Sequence, residues 1–250
     1  MSAEHVPPNR PHPVESSEDS LVRITQPHPG VVQLALGEPC LSTELLERLA
    51  ELLTQHQDAT AVIITGSGPG FSRGGKPRSV LADTLALARA GARAHDALRA
   101  VRGVTLCALH GDCFGAGIAL ALECDLRISD PATRFRMPEL ALGISPAWAG
   151  TARRMREELG AVRARWLLYT GEPVDARTAY DWGLVQDIAE PGRALDRALE
   201  LAERLTKAPG RSVTHAKAYV QAQSSGDWRA LDAQLLDSSI SALHNGLRPG

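Results

Sequence analysis

The stretch Val104–Asp125 constrains the fold of this chain more than any other. It opens with the apolar segment Val104–Leu109, passes through Gly111, Gly115 and Gly117, and becomes a run rich in Ala and Leu from Ile118 to Leu122. That order predicts a buried strand, a glycine turn and a buried helix. Glycine lets a backbone come close to another group, and the first N–H groups of a helix have no partner inside it. Such a turn can aim free N–H donors at a developing negative charge, as an oxyanion hole does. It serves equally as a tight structural turn with no ligand.

Around this centre, strand and helix patterns alternate. Leu21–Thr25 and Val31–Leu36 are short β-type runs on either side of Pro27-His28-Pro29-Gly30, which predicts a hairpin. Leucines at 41, 45, 46, 49, 52 and 53 give helical spacing over Leu41–Gln57, with Ser42 or Thr43 as cap. Ala61–Thr65 reads as a buried strand that runs into Gly66-Ser67-Gly68-Pro69-Gly70 and then Phe71-Ser72-Arg73-Gly74-Gly75. Val80–Val101 is largely helical, Asp125–Ser129 and Thr133–Phe135 are short strands, and Met137–Leu140 opens a turn. Further helices are expected over Gly150–Leu159, Ala161–Tyr169, Asp175–Trp182 and Pro191–Lys207, with a strand at Leu184–Ile188 and helix again from Arg211. Residues 1–20, with four prolines among polar groups, read as a disordered tail. The expected organisation is a tail (1–20), an α/β core (21–190) and a helical C-terminal region (191–250).

Composition excludes several classes of function. A net charge of -2 gives no electrostatic basis for nucleic-acid binding. No apolar run reaches the roughly 18 residues of a membrane span, and no basic stretch followed by an apolar core marks a signal peptide. Cys40, Cys107, Cys113 and Cys124 form no Cys-x-x-Cys pair and sit in apolar settings, as reduced core residues of a cytoplasmic protein would. Cys113, inside the glycine turn, is kept as a possible site-lining thiol. No metal-ligand set emerges, and His12 and His28 lie in proline-rich turns. The Gly66–Gly70 loop is not a phosphate-binding P-loop, because no Gly-Lys-Ser/Thr follows it.

Five blocks, in order, resemble the crotonase (enoyl-CoA hydratase/isomerase) superfamily. They are Ile63–Gly75, the turn and helix of Leu109–Asp125, Phe135–Thr151 with Met137-Pro138-Glu139-Leu140, Ala179–Val185, and Ser212–Val220. The resemblance covers roughly Val22 to Gln221. It implies a ββα spiral core with C-terminal helices that complete an acyl pocket and trimer or hexamer contacts. It also implies an acyl thioester substrate on coenzyme A or on the phosphopantetheine of an acyl carrier protein, with no permanently bound cofactor. The thioester oxygen would lie between the backbone N–H groups of Gly75 and Ala116, with Glu139 as acid/base.

The chain departs from the hydratase pattern, which uses two glutamates to activate one water. The first position is Ala119, and only the second, Glu139, is retained. Glu123, one turn beyond Ala119, is read as an ion-paired helix glutamate more readily than as a carboxylate that swings into the site. A single glutamate suits double-bond isomerisation or dehydration better than hydration. Dienoyl isomerases carry an Asp where Ala147 stands, and dehalogenating relatives an Asp where 145–148 offer none. The segment Gly37–Leu41, near the adenine pocket in the family, is shortened, which suits a carrier-protein thioester. Polyketide-associated branches that dehydrate or decarboxylate a β-branched acyl carrier thioester are the alternatives; Lys76 and His215 lie near the decarboxylase positions. Asp112 and Trp148 are further pocket candidates, and Lys217 is a candidate for a pantetheine or nucleotide phosphate, although a surface helix lysine is the plainer reading. His110 is expected to pack on backbone. The rival class is a non-catalytic homologue that binds an acyl carrier or another partner.

Overall fold

A computed structural model describes residues 21–76, 81–143, 150–208 and 211–221. The expected tail (1–20) and Trp148 lie outside the described residues. The chain runs β1 (Val22–His28), β2 (Val31–Leu36), α1 (Thr43–Gln55), β3 (Ala61–Gly66), α2 (Leu81–Ala100), β4 (Val104–Leu109), β5 (Asp112–Phe114), α3 (Ala116–Glu123), β6 (Leu126–Ser129) and β7 (Arg134–Arg136). After a 3₁₀ turn at Leu140–Leu142 come α4 (Thr151–Arg165), a π-turn (Trp166–Thr170), β8 (Val174–Asp175), α5 (Ala176–Trp182), β9 (Asp187–Ile188), α6 (Ala194–Thr206) and α7 (Ser212–Gln221).

A six-stranded sheet has the order β1-β2-β3-β4-β6-β9, parallel apart from the β1–β2 hairpin. Its central strands are buried on both faces, which is why they read as continuous apolar runs rather than alternating ones. One face of β3 (Val62, Ile64) joins the core with Leu45, Leu46, Leu49 and Leu53 of α1. The other (Ala61, Ile63) meets Ala194, Ala198 and Ala202 of α6. Those alanines recur every fourth residue, so α6 presents a flat stripe that sits close to the strands. The first helix of the expected C-terminal region therefore packs as part of the core's second face.

A small second sheet, β5-β7-β8, holds β5 parallel to β7 and β7 antiparallel to β8. It turns Cys113 and Phe135 inward to the core and Asp112, Arg134 and Arg136 outward. Ser72 bridges to Cys113 and Leu41 to Gly75, so this sheet is laced to the loop after β3. The expected helix pair over 150–169 is joined through Gly160, whose φ of 78° and ψ of 158° break the helical path. The strand expected at Leu184–Ile188 shortens to Asp187–Ile188, because Leu184 and Val185 fold back onto Ala179 at the end of α5.

Candidate active site

The segment after β3 is held on both sides. Arg73 N–H donates to Pro39 O (2.6 Å) and Ser72 N–H to Asp112 O (2.9 Å), while Phe114 N–H donates to Ser72 O (2.8 Å). Leu41 N–H bonds Gly74 O (2.8 Å) and Lys76 N–H bonds Leu41 O (2.9 Å). In a parallel bridge the residue between two such bonds turns its own N–H the other way. Gly75 is that residue, and its N–H has no acceptor among the described residues.

The second loop meets the first from across a narrow gap. Gly74 has a φ of +97°, and a Cβ built on it would lie 3.2 Å from Phe114 O and 3.7 Å from Ala116 N. Gly115 has a φ of +48° and donates its N–H to Arg136 O (2.8 Å), which leaves Ala116 as the first residue of α3. The N–H of Ala116 is one of the orphan donors of a helix start, and it too lacks an acceptor among the described residues. Gly117 is required by contact, since a Cβ there would lie 2.9 Å from Ser72 Cβ. The glycines of both loops thus let two backbones approach, and two N–H groups in adjoining loops have no acceptor among the described residues.

Glu139 stands directly over this junction. Its Oε1 lies 2.7 Å from the point a Cβ on Gly115 would occupy, so the carboxyl rests on the bare Cα of Gly115. The residue is only 6% exposed, and Oε2 has no hydrogen-bond partner among the described residues. Burial raises its pKa above the usual carboxylate value, with a contact to its own backbone N–H opposing the rise. A buried carboxyl without a cation is suited to trading a proton with a neighbouring carbon or oxygen.

The sequence profile of the family "Enoyl-CoA hydratase/isomerase" matches residues 26–247. The chain belongs to this family. A Bacillus subtilis (strain 168) protein named "probable enoyl-CoA hydratase" is 32% identical over 176 residues, 67% of this chain and 68% of its own length. The 2,3-dehydroadipyl-CoA hydratase of Escherichia coli (strain K12) is 30% identical over 186 residues, covering 71% and 72%. Among solved structures, Pseudomonas aeruginosa DspI superposes with a TM-score of 0.84 at 24% identity over 96% of this chain and 99% of its own, a likeness of fold. The chain is therefore an enzyme of the crotonase type with the α/β fold expected from its sequence.

The structure sets Gly74, next to Gly75, against Phe114 and Ala116 and rests Glu139 on Gly115, and it disperses several other candidates. Ala119 is buried in α3, one turn before Glu123. Glu123 does not swing toward Glu139: Arg99 grips it with bonds of 2.8 and 3.1 Å, and Arg154 with one of 3.0 Å. These partners, with His95, outweigh burial and hold its pKa down to about 2. Cys113 is corrected from a site-lining thiol to a core residue with no exposed surface; burial pushes its pKa well above the usual thiol value. Asp112 is taken up by Arg134 (2.7 Å) and Arg73 (3.7 Å) on the outer face of the small sheet. Its neighbour His110 shares a ring nitrogen with Gly68 O at 3.0 Å, packing on backbone as expected.

Lys217 is corrected twice over. It is neither a surface lysine nor free for a phosphate, because it is buried, pairs with Asp125 (2.8 Å) and donates to Gly103 O (2.9 Å). That contact docks α7 at the N-terminal ends of β4 and β6, the opposite end of the sheet from the glycine loops. His215 is half-buried on the same helix, and Lys76 is exposed beside Gly75. Sequence reasoning missed that Gly115 is the seat of the Glu139 carboxyl. The signal was a glycine directly before the helix with no capping side chain.

Proposed function

We propose that the enzyme binds an acyl thioester with its carbonyl oxygen between the N–H groups of Gly75 and Ala116, and that Glu139 alone moves the proton. The observation that carries this reading is the unpaired, buried Glu139 carboxyl resting on Gly115, next to the free N–H of Ala116. Each preorganised donor aimed at the enolate oxygen contributes about 3 kcal/mol to lowering the barrier. Glu139 takes a proton from the carbon next to the carbonyl. It returns it to the γ-carbon of a 3-enoyl chain, shifting the double bond, or gives it to a departing β-hydroxyl, releasing water.

Two-carboxylate hydration is disfavoured here, because Ala119 cannot ionise and Glu123 is consumed by Arg99 and Arg154. The hydratase names of the relatives favour a second reading, slower hydration on Glu139 alone. The thioester is carried on coenzyme A or on an acyl carrier protein, and the short Gly37–Leu41 segment supports the carrier. We further assign the exposed stripe Val162, Trp166 and Tyr169 to contact with a second copy in a trimer or hexamer.

The test is product analysis with 3-enoyl, 3-hydroxyacyl, 2-enoyl and 3-methylglutaconyl thioesters, each on coenzyme A and on a carrier protein. The reading expects isomerised or dehydrated product. Decarboxylation of the 3-methylglutaconyl group would move the assignment to the decarboxylase branch. Fast water addition to the 2-enoyl thioester without any shift of the 3-enoyl double bond would overturn the isomerase reading and leave the hydration–dehydration pair, which is one reaction run in two directions.

A further inference from the structure

Each group of the proposed site is tied along the chain to a helix. Gly75 precedes α2, Ala116 opens α3, and Glu139 precedes α4. The three helices meet again at one side chain, Glu123, the last residue of α3. Its carboxylate is 1% exposed. From the last turn of α2, Arg99 donates to both of its oxygens. One turn earlier, His95 Nδ1 stands 3.5 Å from Oε1. From the first turn of α4, Arg154 donates at 3.0 Å, and it also reaches Glu158 at 3.4 Å. Glu158 in turn pairs with the buried Arg127 of β6, which donates to Leu184 O and Cys124 O.

A carboxylate at a helix C-terminus opposes the helix dipole, and a buried charge is costly to desolvate. The rest of α3 is apolar and buried, so packing alone calls for another apolar side chain at this place. The charge therefore does something that packing does not: it fixes the last turn of α2 and the first turn of α4 against the last turn of α3. With eight residues, α3 is a rod of about 12 Å, and a shift of its buried C-terminus carries through to the N–H of Ala116.

Resting on the reading of Gly75, Ala116 and Glu139 given above, we propose that Glu123 is a positioning residue. Its ties to Arg99, His95 and Arg154 set the mutual register of the two N–H donors and the Glu139 carboxyl. A misplacement of about 1 Å at a reacting centre costs about 100-fold in rate, so a partial loosening is expected to lower kcat by at least about 10-fold. Substrate binding draws on other contacts, and KM is expected to stay within about 3-fold, since the lost alignment is felt in the transition state.

The experiment uses the full chain with Glu123→Gln and, separately, Arg154→Met, which cuts the tie to α4 and leaves Glu123 with Arg99 and His95. kcat and KM are measured on a thioester that the unaltered enzyme turns over, at a temperature where the variants are folded. Amide hydrogen exchange is followed by mass spectrometry over segments 71–76, 112–119 and 136–143. The proposal expects lower kcat, near-constant KM and faster exchange in all three segments. Folded variants with unaltered kcat, and with exchange changes confined to 95–99, 121–127 and 151–158, would overturn it. If Glu123→Gln does not fold, Arg154→Met decides. If the unaltered enzyme turns over no thioester, the functional reading has failed instead, and the exchange pattern alone decides the positioning role.

Discussion

Glu123 and Glu139 are buried to nearly the same depth, 4% and 6% exposed, and their surroundings treat them in opposite ways. Around Glu123 two arginines and a histidine converge from α2 and α4, and its carboxyl stays ionised down to about pH 2. Around Glu139 the described residues offer no cation and no partner for Oε2, so burial acts unopposed by charge and raises the pKa. Depth in the protein does not decide what a carboxylate does; the partners brought by neighbouring helices do. One glutamate is a fixed charge that holds elements together, and the other is left able to change its protonation.

The strongest way to sharpen this contrast is Glu139→Gln, which keeps the shape and removes the acid/base. Turnover is expected to fall by about 1000-fold, while stability in urea changes by less than about 1 kcal/mol, because no ion pair is lost. Gly115→Ala should approach the same loss of activity by a different route. Its Cβ would strike Glu139 Oε1 and the backbone would be held at an unfavourable positive φ. A gain or no change in activity for that variant would break the placement of Glu139.

Next in size is Glu123→Gln, expected to cost about 1–3 kcal/mol in urea unfolding, because it weakens the charge-assisted bonds to Arg99 and Arg154, whose own side chains are partly exposed and can turn to water. The pH dependences should differ in sign. Glu123 titrates below its ordinary value of 4.5, so its contribution to stability is present above 4.5 and is lost as pH falls through about 2. Thermal melts of the Glu123→Gln variant should therefore vary less with pH across that acid window. Glu139 titrates above its ordinary value, so its contribution is present below 4.5 and is lost as pH rises through the raised pKa. Glu139→Gln should lose less stability than the unaltered chain as pH rises from 4.5 through that raised pKa. The smallest effect is expected for Asp112→Asn, below about 1 kcal/mol, since its arginine partners are mostly exposed.

Much of this was legible in the sequence because the signals are local. The apolar runs at Ala61–Thr65 and Val104–Leu109 and the leucine spacing of α1 each reflect a pattern set within a few residues, and the glycines at 74, 75, 115 and 117 stand out by their clustering, although the close contacts of Gly74, Gly115 and Gly117 are with distant residues. Glu139 was named from the resemblance of its block to the family's carboxylate segment, and the glycine turn from its own composition. What stayed hidden depends on distant partners. Arg99 and Arg154 lie 24 and 31 residues from Glu123, and Lys217 lies 114 from Gly103, so no local pattern announces either contact. The small sheet escaped notice for a similar reason: β8 is only two residues long and is defined by pairing with β7. Cys113 was misjudged because the alternation that turns it inward belongs to that sheet.

The most direct measurement is hydrogen–deuterium exchange at the carbon next to the thioester carbonyl, followed by NMR in deuterated water with the unaltered enzyme and Glu139→Gln. The account predicts that the unaltered enzyme introduces deuterium at that carbon and that the variant, folded and binding the same thioester, does not. Equal exchange by both proteins would show that another group moves the proton, and the role given to Glu139 would be wrong.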